Sequence, residues 1–408
     1  MKKQNYYNIL FIIILASLGC YAPTFINIPD QVYKFVTYSA LAIFIVLTLR
    51  IKNLHKEFIY YSILILSICQ LLSAYNAYIF KGQSLSVSLL ATMQSFAYIL
   101  YIPLCKSQIN IRKLEKIIQI FAVGYLLCSL FNHLSPIPLF GSADLGDDRG
   151  GTRFRLVGIY WVIFFLFLKI NKYAINGKNK DLWWIIFSAC GILLSLTRQD
   201  ILVSALLGYF LFLFKTKPAK KIIFLIISAT FAIFILPQIK IVDALIQKSI
   251  QDKDAQEEYD NIRIVAASYF LFGYPRNTQQ ILFGVGIPAF GKSQYGIEYE
   301  YEQENLRVFR EDVGYCGFYY NHGLIATLLL IAVFIRVLCL KVPDEYIYLK
   351  FFSGAFLLLN IASAPSQVNL SIIPFIIMLY MSITVHNNNK NKNQNPQQKL
   401  KPMKYDFQ

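Results

Sequence analysis

Charged residues are scarce in this chain of 408 residues, where they make up only 15% of the sequence while 56% is hydrophobic. The mean hydropathy is +0.48. Soluble globular domains carry about 25% charged residues, so this composition excludes an ordinary soluble domain. In a bilayer, backbone polar groups are satisfied only within helices or closed barrels, and the apolar runs here are continuous instead of alternating. The sequence therefore predicts an all-α, polytopic membrane helix bundle.

Metal-ligand patterns and disulfide frameworks are also absent from the sequence. Four histidines show no metal-ligand spacing, and Asp252-Lys253-Asp254 is more typical of a charged helix than of a metal site. Gly284-Val285-Gly286 has no strand-then-helix context for a nucleotide fold, and is expected to be a flexible turn. The seven cysteines are odd in number and lie mostly in apolar runs. We therefore expect neither a metal nor another cofactor.

Twelve apolar runs predict about twelve transmembrane helices, which places both termini on one side of the membrane. The predicted spans are residues 8–27, 34–51, 58–80, 85–105, 115–132, 156–170, 182–197, 201–214, 222–236, 318–338, 347–364 and 369–385. Residues 1–385 form one integral membrane domain, with external loops at 133–155 and 237–317. The larger loop is expected to contain short interfacial helices near 239–250 and 262–272. The tail 386–408 is rich in Asn, Lys and Gln and is expected to be disordered and cytoplasmic.

The formal net charge of +16 does not indicate nucleic-acid binding. In the predicted topology, the basic clusters fall on the same side as the N-terminal Lys2-Lys3 pair at every turn. This is the positive-inside rule, which accounts for the basic balance without a nucleic-acid partner. The termini are therefore expected in the cytoplasm.

Several arginines nevertheless lie on the predicted outer side, where that rule disfavours them. They are Arg153 and Arg155 in the first external loop, Arg198 in a hinge between two short spans, and Arg263, Arg276 and Arg310 in the large loop. These residues form either solvated turns with ion pairs to nearby aspartates or a binding site for phosphate, whose oxygens guanidinium groups match in pairs. Interleaved carboxylates and tyrosines would suit a sugar phosphate.

The order of these segments resembles the O-antigen ligase/polymerase superfamily of bacterial inner-membrane glycosyltransferases. The resemblance covers roughly residues 150–330. It rests on Thr152-Arg153-Phe154-Arg155-Leu156-Val157-Gly158, Leu196-Thr197-Arg198, Asn261-Ile262-Arg263, Ile281-Leu282-Phe283-Gly284-Val285-Gly286 and Glu311-Asp312-Val313-Gly314-Tyr315-Cys316-Gly317. The last segment is similar to that of polysaccharide polymerases, whereas ligases more often carry a His-Asn pair there.

This resemblance implies a polymerase of undecaprenyl-diphosphate-linked oligosaccharide repeat units at the periplasmic face of the bacterial inner membrane. Arg198 and Arg263 would bind the diphosphate, supported by Arg153, Arg155, Arg276 and Arg310. Asp312 would orient or deprotonate the acceptor hydroxyl. Glu311 and His322 are further candidates for the base, although the position of His322 is more typical of a hydrogen-bonded helix residue.

The same resemblance implies partners in the bilayer, including a flippase and a chain-length regulator. Two alternatives remain open at this point. One is a ligase that transfers finished polymer to a lipid A-core acceptor. The other is a flippase or exporter of lipid-linked oligosaccharides, which twelve spans would also fit, although the sequence shows no internal repeat.

Overall fold

The computed structural model describes residues 57–93, 95–107, 109–135, 137–144, 153–156, 158–215, 247, 262–273, 276–363 and 369–394. Within these ranges the chain is almost entirely helical. The predicted spans 8–27, 34–51 and 222–236 lie outside the described residues, as does the predicted interfacial helix 239–250 apart from residue 247.

The α-helices and the two short β-strands follow one another along the chain in a simple order. They are α1 Phe58–Lys81, α2 Leu85–Thr92, α3 Tyr101–Ser107, α4 Ile111–Leu134, β1 Ser142–Asp144, β2 Arg153–Arg155, α5 Ile159–Asn176, α6 Asn179–Leu194, α7 Arg198–Lys215, α8 Ile262–Ser268, α9 Thr278–Phe283, α10 Gln294–Leu306, α11 Gly314–Cys339, α12 Tyr348–Ala362 and α13 Asn369–Gln394. Short 3₁₀ turns lie at Ser95–Leu100, Arg310–Val313 and Asp344–Tyr346, and α8 continues as a π-helix at Tyr269–Gly273.

Five of the described helices are long and apolar enough to cross a membrane. They are Phe58–Lys81, Ile111–Leu134, Ile159–Asn176, Arg310–Cys339 and Ser371–Asn391. A sixth span results if Leu85–Thr92 and Ser95–Cys105 are counted together, although these two pieces meet at 57°. The span predicted at 85–105 corresponds to these two pieces, which are bent relative to each other. The described part supports a membrane protein with five or six such helices.

Helix α5 forms the centre of the bundle. It packs against α4, α6, α7, α12 and α13, and every residue from Trp161 to Asn171 is buried. A helix that is apolar on all sides is expected to be enclosed by other helices. Aromatic stacking fixes its neighbours, since the rings of Phe164 and Phe352 lie 4.2 Å apart and those of Phe121 and Trp161 lie 4.8 Å apart.

Polar contacts tie the helices together at the end of the bundle where α5 finishes. Asn171 donates to the backbone oxygens of Asp344 and Glu345, at 3.2 and 2.8 Å. Lys169 pairs with Asp181 at 3.0 Å, both groups being largely buried. Residues 386–394, predicted to belong to a disordered tail, are helical instead, because α13 continues to Gln394 and its His386 ring lies 3.1 Å from the backbone oxygen of Lys341.

Helix α11 is broken at Gly323, whose backbone is left-handed and extended (φ 84°, ψ 173°). The segment that follows α9 inserts at this break. The backbone N–H groups of Val285 and Gly286 donate to the carbonyl oxygens of Tyr320 and Asn321, at 2.9 and 3.0 Å. These bonds supply partners that the interrupted helix cannot provide itself. The turn at 284–286, expected to be flexible, is instead buried and hydrogen-bonded.

Side chains of α1 and of the turn that follows it hold the inserted segment from its other side. Asn76 donates to the carbonyl oxygen of Gly284 at 2.7 Å and accepts from Gln279 at 2.7 Å. Gln83 accepts from the Ala289 N–H at 2.9 Å and donates to the carbonyl oxygen of Ile287 at 3.0 Å. These buried amides therefore bind backbone groups of a different element, which fixes the segment against the bundle.

We expect Gly323→Ala to lower stability by about 3 kcal/mol or more, because it combines left-handed backbone strain with steric overlap. A Cβ at this position would overlap the carbonyl oxygen of Leu282. Gly291→Ala is a matched control, since Gly291 also has a positive φ (+60°) but has open space around it. The measurement is the apparent melting temperature of the purified protein in detergent. Equal shifts for both variants would contradict the tight insertion.

Candidate functional site

The hinge between α6 and α7 is a strained turn. Leu196 is buried and adopts a left-handed conformation (φ 53°), which costs a non-glycine residue about 1–2 kcal/mol. Hydrogen bonds hold it in place: Ser195 Oγ donates to the carbonyl oxygen of Ile192 at 2.7 Å, and the Leu196 N–H donates to that of Leu193 at 3.1 Å. The turn places Arg198, which is half-buried, at the first residue of α7.

The hinge contacts the C-terminal end of α12. Gln199 Nε2 donates to the carbonyl oxygen of Leu359 at 2.9 Å, and Ser363 Oγ donates to the same oxygen at 2.8 Å. The same oxygen also accepts from the Ser363 N–H at 3.1 Å, so backbone and side-chain donors converge on it. The end of α12 thus fixes the start of α7.

The acidic turn at 310–314 packs against the same end of α12. Gly314 has a left-handed backbone (φ +44°), and a Cβ on it would overlap the carbonyl oxygen of Asn360. Tyr315, the next residue, donates from its hydroxyl to the carbonyl oxygen of Leu357 at 3.2 Å. The turn therefore lies beside the hinge, although about 110 residues separate them in the chain. Glu311 and Asp312 are both exposed there.

A short antiparallel hairpin brings the first arginine segment to this end. The register pairs Ser142 with Arg155 and Asp144 with Arg153. Phe154 lies between the two arginines and packs edge-on against His133, with ring centroids 4.8 Å apart. The backbone of Arg153 and Arg155 is therefore anchored at the end of α4.

The hairpin and the hinge line one cavity of about 210 Å³. Phe154 and Leu156 contribute from the hairpin side, and Ser195, Thr197 and Asp200 contribute from the hinge. The remaining lining residues are Tyr125, Gly158, Ile159, Tyr160 and Ser371. Two of the segments singled out in the sequence, 152–158 and 196–198, thus meet around a half-open cavity.

Arg310 is buried within a cage of aromatic rings. Its guanidinium carbon lies 3.9 Å from the centroid of Tyr299, 4.4 Å from Tyr320, 5.3 Å from Tyr295 and 5.9 Å from Phe270. Its side chain donates to the Tyr295 hydroxyl and to Asn321 Oδ1, both at 3.0 Å. Cation–π contacts of a desolvated guanidinium contribute about 2 kcal/mol or more.

Among the described residues, no carboxylate forms an ion pair with Arg310 or with Arg276. Arg276 lies 4.7 Å from the ring of Tyr319 and 5.5 Å from that of Tyr320, so two guanidinium groups lie against Tyr320. The buried Nε and Nη2 of Arg310, and the buried Nε and Nη1 of Arg276, have no hydrogen-bond acceptor there. Arg310 is only 1% exposed, so a ligand such as a diphosphate could contact its guanidinium group only if the surrounding rings moved apart.

Tyr299 connects the cage to the acidic turn. Its hydroxyl accepts from the backbone N–H of Arg310 at 2.8 Å and donates to Glu311 Oε2 at 3.2 Å. Burial raises the pKa of Tyr299, the Arg310 guanidinium lowers it and Glu311 raises it again. The pKa is raised overall, so the hydroxyl stays protonated at neutral pH and orients the Glu311 carboxylate.

His322 and Arg263 lie in different surroundings. His322 is fully buried beside the break in α11, with Nδ1 3.3 Å from Ser73 Oγ and its ring 4.8 Å from that of Phe318. Its Nε2 has no partner within the described part of the chain. Arg263 is exposed on α8, which packs against the 310–313 turn. In the described ranges, no group of three or more His, Cys, Asp or Glu side chains could hold a metal ion.

Sequence reasoning missed the cage that surrounds Arg310. The signal was present in part, because Tyr295 and Tyr299 are four residues apart and so share one face of a helix. Phe270, Tyr320 and Asn321 come from other elements, and nothing in their local sequence indicates that they meet Arg310.

A comparison with protein-family models finds no match to this chain. A comparison with curated proteins likewise finds no similar sequence.

We expect Arg310→Ala to destabilise the protein by about 3 kcal/mol or more, because it leaves a cavity among the rings and removes the donor to the buried Asn321 Oδ1. Arg307→Ala is the control, since Arg307 is exposed three residues away and should change stability by less than about 0.5 kcal/mol. Apparent melting temperatures of both variants test this. A wild-type melting temperature for Arg310→Ala would mean that the cage does not support the fold.

Proposed function

We propose that this protein is a membrane glycosyltransferase that polymerises undecaprenyl-diphosphate-linked oligosaccharide repeat units at the periplasmic face of the bacterial inner membrane. In this reaction an acceptor hydroxyl of one repeat unit attacks the anomeric carbon of another. The new glycosidic bond forms, the bond from that carbon to the diphosphate oxygen breaks, and undecaprenyl diphosphate leaves.

One observation carries the proposal: three segments far apart in sequence lie together at one end of the bundle. The hairpin with Arg153 and Arg155 lines a cavity together with the hinge that begins α7 at Arg198. The hinge and the 310–314 turn both contact the C-terminal end of α12. Arginines from two segments and carboxylates from a third are the groups that a lipid diphosphate and a sugar hydroxyl require.

The proposed roles follow from charge and exposure. Arg198 and the exposed Arg263 bind the diphosphate, with Arg153 and Arg155 in support, and stabilise the negative charge that develops on the leaving group. Asp312 takes the proton of the acceptor hydroxyl, being exposed at the same end. Glu311, oriented by Tyr299, is the alternative base. Arg310 and Arg276 hold the surrounding elements in place.

The proposal includes the complete topology of twelve spans, with both termini in the cytoplasm and residues 237–317 outside. The positive-inside distribution of Lys and Arg supports it. A flippase and a chain-length regulator are the proposed protein partners, and no nucleic acid, metal or cofactor takes part. Transfer of finished polymer to a lipid A-core acceptor would use the same arrangement.

One structural feature favours a second candidate, a flippase or exporter of lipid-linked oligosaccharides. Helix α11 is broken at Gly323 and its freed backbone groups bond to an inserted segment. Discontinuous helices of this kind surround the substrate sites of many transporters. In this chain, however, the break is filled by Gly284 and Val285, both buried, which makes the transferase the better-supported function.

Deletion of the gene in its native host, followed by profiling of surface polysaccharide, separates these functions. A polymerase predicts chains of a single repeat unit on the cell surface. A ligase would leave finished polymer on the carrier lipid, and an exporter would leave carrier-linked repeat units in the cytoplasm. Either of the last two results would contradict the proposal.

Arg198→Ala should reduce polymer formation about 100-fold to 1,000-fold, the loss typical when one group that stabilises developing charge is removed. Arg198→Lys should retain partial activity, because lysine keeps the charge but not the paired donors. Arg336→Ala is the control, since Arg336 is exposed near the other end of α11. Ladder profiles in a deletion strain that expresses each variant, normalised to membrane protein level, provide the measurement. A wild-type ladder from Arg198→Ala would contradict the assignment.

A further inference from the structure

We propose that the cavity between the hairpin and the α6–α7 hinge is a binding site for one sugar ring, with Asp200 as the carboxylate that accepts hydrogen bonds from its hydroxyl groups. The identity of that ring as part of the acceptor glycan rests on the proposed function. The site itself is argued from the cavity.

The lining of the cavity has the chemistry that a sugar ring requires. Asp200 is the one carboxylate among the lining residues that the structure describes, and it is only 5% exposed. Hydroxyl groups, which can both donate and accept, come from Ser195, Thr197, Ser371 and two tyrosines. A pyranose presents hydroxyls around its edge, so an acceptor-only carboxylate and several hydroxyls complement it.

Aromatic side chains provide the apolar part of the same lining. Phe154, Tyr125 and Tyr160 offer ring faces and edges on which the C–H face of a sugar can pack. The ring of Phe154 is held in position by His133. Hydroxyl groups, one carboxylate and aromatic rings together suit a neutral polyhydroxylated group.

The size of the cavity limits what it can hold. At about 210 Å³ it is smaller than the about 300–1,000 Å³ of pockets that enclose drug-sized ligands. It therefore accommodates one ring and not a whole repeat unit, so the rest of the glycan would extend outward from this end of the bundle.

The backbone around the cavity is held in uncommon conformations on two sides. Leu196 adopts φ 53° immediately before Thr197, and Gly158 adopts φ 116° immediately before α5. Glycine adopts a positive φ readily, whereas Leu196 is strained, and strained residues persist where the surrounding structure fixes them, often at ligand sites. Each of these two residues directly precedes a residue that lines the cavity, Thr197 after Leu196 and Ile159 after Gly158. The sugar site would thus be formed before the ligand arrives.

The position of the cavity relates it to the proposed reaction. Asp200 lies two residues after Arg198 in the first turn of α7, so the diphosphate-binding arginine and the sugar-binding carboxylate share one rigid element. Asp200 is in this account a positioning residue for the acceptor and not the base.

The test is ligand-observed saturation-transfer NMR on the purified full chain in detergent, with a panel of free neutral hexoses, N-acetylhexosamines and deoxyhexoses as probes. We expect at least one sugar to show saturation transfer with the wild type. Asp200→Asn should weaken that signal at least fivefold, and Thr197→Val, which removes one hydroxyl at nearly constant volume, should weaken it as well. Glu304→Gln is the matched control on an exposed carboxylate outside the cavity, and it should retain the full signal.

Gel-filtration profiles and melting temperatures establish whether each variant is folded. If Asp200→Asn is not folded, the comparison of Thr197→Val with the wild type tests the proposal. No signal from any sugar with the wild type, or an undiminished signal with the folded cavity variants, would overturn the proposal. The polysaccharide profile of the deletion strain is read independently. Sugar binding that depends on Asp200, found together with unchanged polymer in that strain, would retain the site and refute the polymerase.

Discussion

Hydrogen bonds to the carbonyl groups of helices determine how this bundle is assembled. Carbonyls in the last two turns of α12 receive hydrogen bonds from Gln199 at the start of α7 and from Tyr315 in α11. The same interaction operates in the interior of α11, where the carbonyls at the break near Gly323 accept from the backbone N–H groups of Val285 and Gly286. A carbonyl group buried without water or a partner costs about 1–3 kcal/mol. Satisfying these groups draws segments that are distant in sequence to one end of the bundle.

The aromatic cage around Arg310 serves the same region in a different way. It joins α8, α10, the 310–313 turn and α11 through one guanidinium group and four rings. In the described part of the chain, the guanidinium group of Arg310 is surrounded by ring faces and not by a carboxylate. It therefore makes cation–π contacts with several elements at once. The exposed pair Glu311 and Asp312 is consequently presented by a rigid turn, which suits groups that must orient a substrate.

Much of the secondary structure could be predicted from the sequence, because a bilayer leaves a helix as the simplest way to satisfy backbone groups. The span predicted at 58–80 corresponds to helix Phe58–Lys81, and the one predicted at 318–338 lies within Gly314–Cys339. The bend near residue 93 and the break at Gly323 were not predictable from apolar run length. Both depend on contacts from other elements, such as the insertion at 284–286, which hydropathy does not describe.

The candidate site was predictable in its residue types but not in its arrangement. Arg198 was identified as unusual because the flanking apolar runs are short, and the structure places it at a strained hinge. Asp200 in the cavity and the tyrosines around Arg310 were not identified, since their surroundings come from separate elements, such as Phe154 beside Asp200 and Phe270 beside Arg310. The local sequence alone does not show which distant segments come into contact.

The central claim is that the hinge at 197–200 and the turn at 310–314 lie together at one end of the bundle. Pulsed electron paramagnetic resonance between spin labels at positions 199 and 312 tests it most directly, in a variant whose seven native cysteines are replaced by serine. The account predicts a narrow distribution of distances well below the ~30 Å thickness of a hydrocarbon core. A separation equal to that thickness or larger would place the two segments apart and contradict the account.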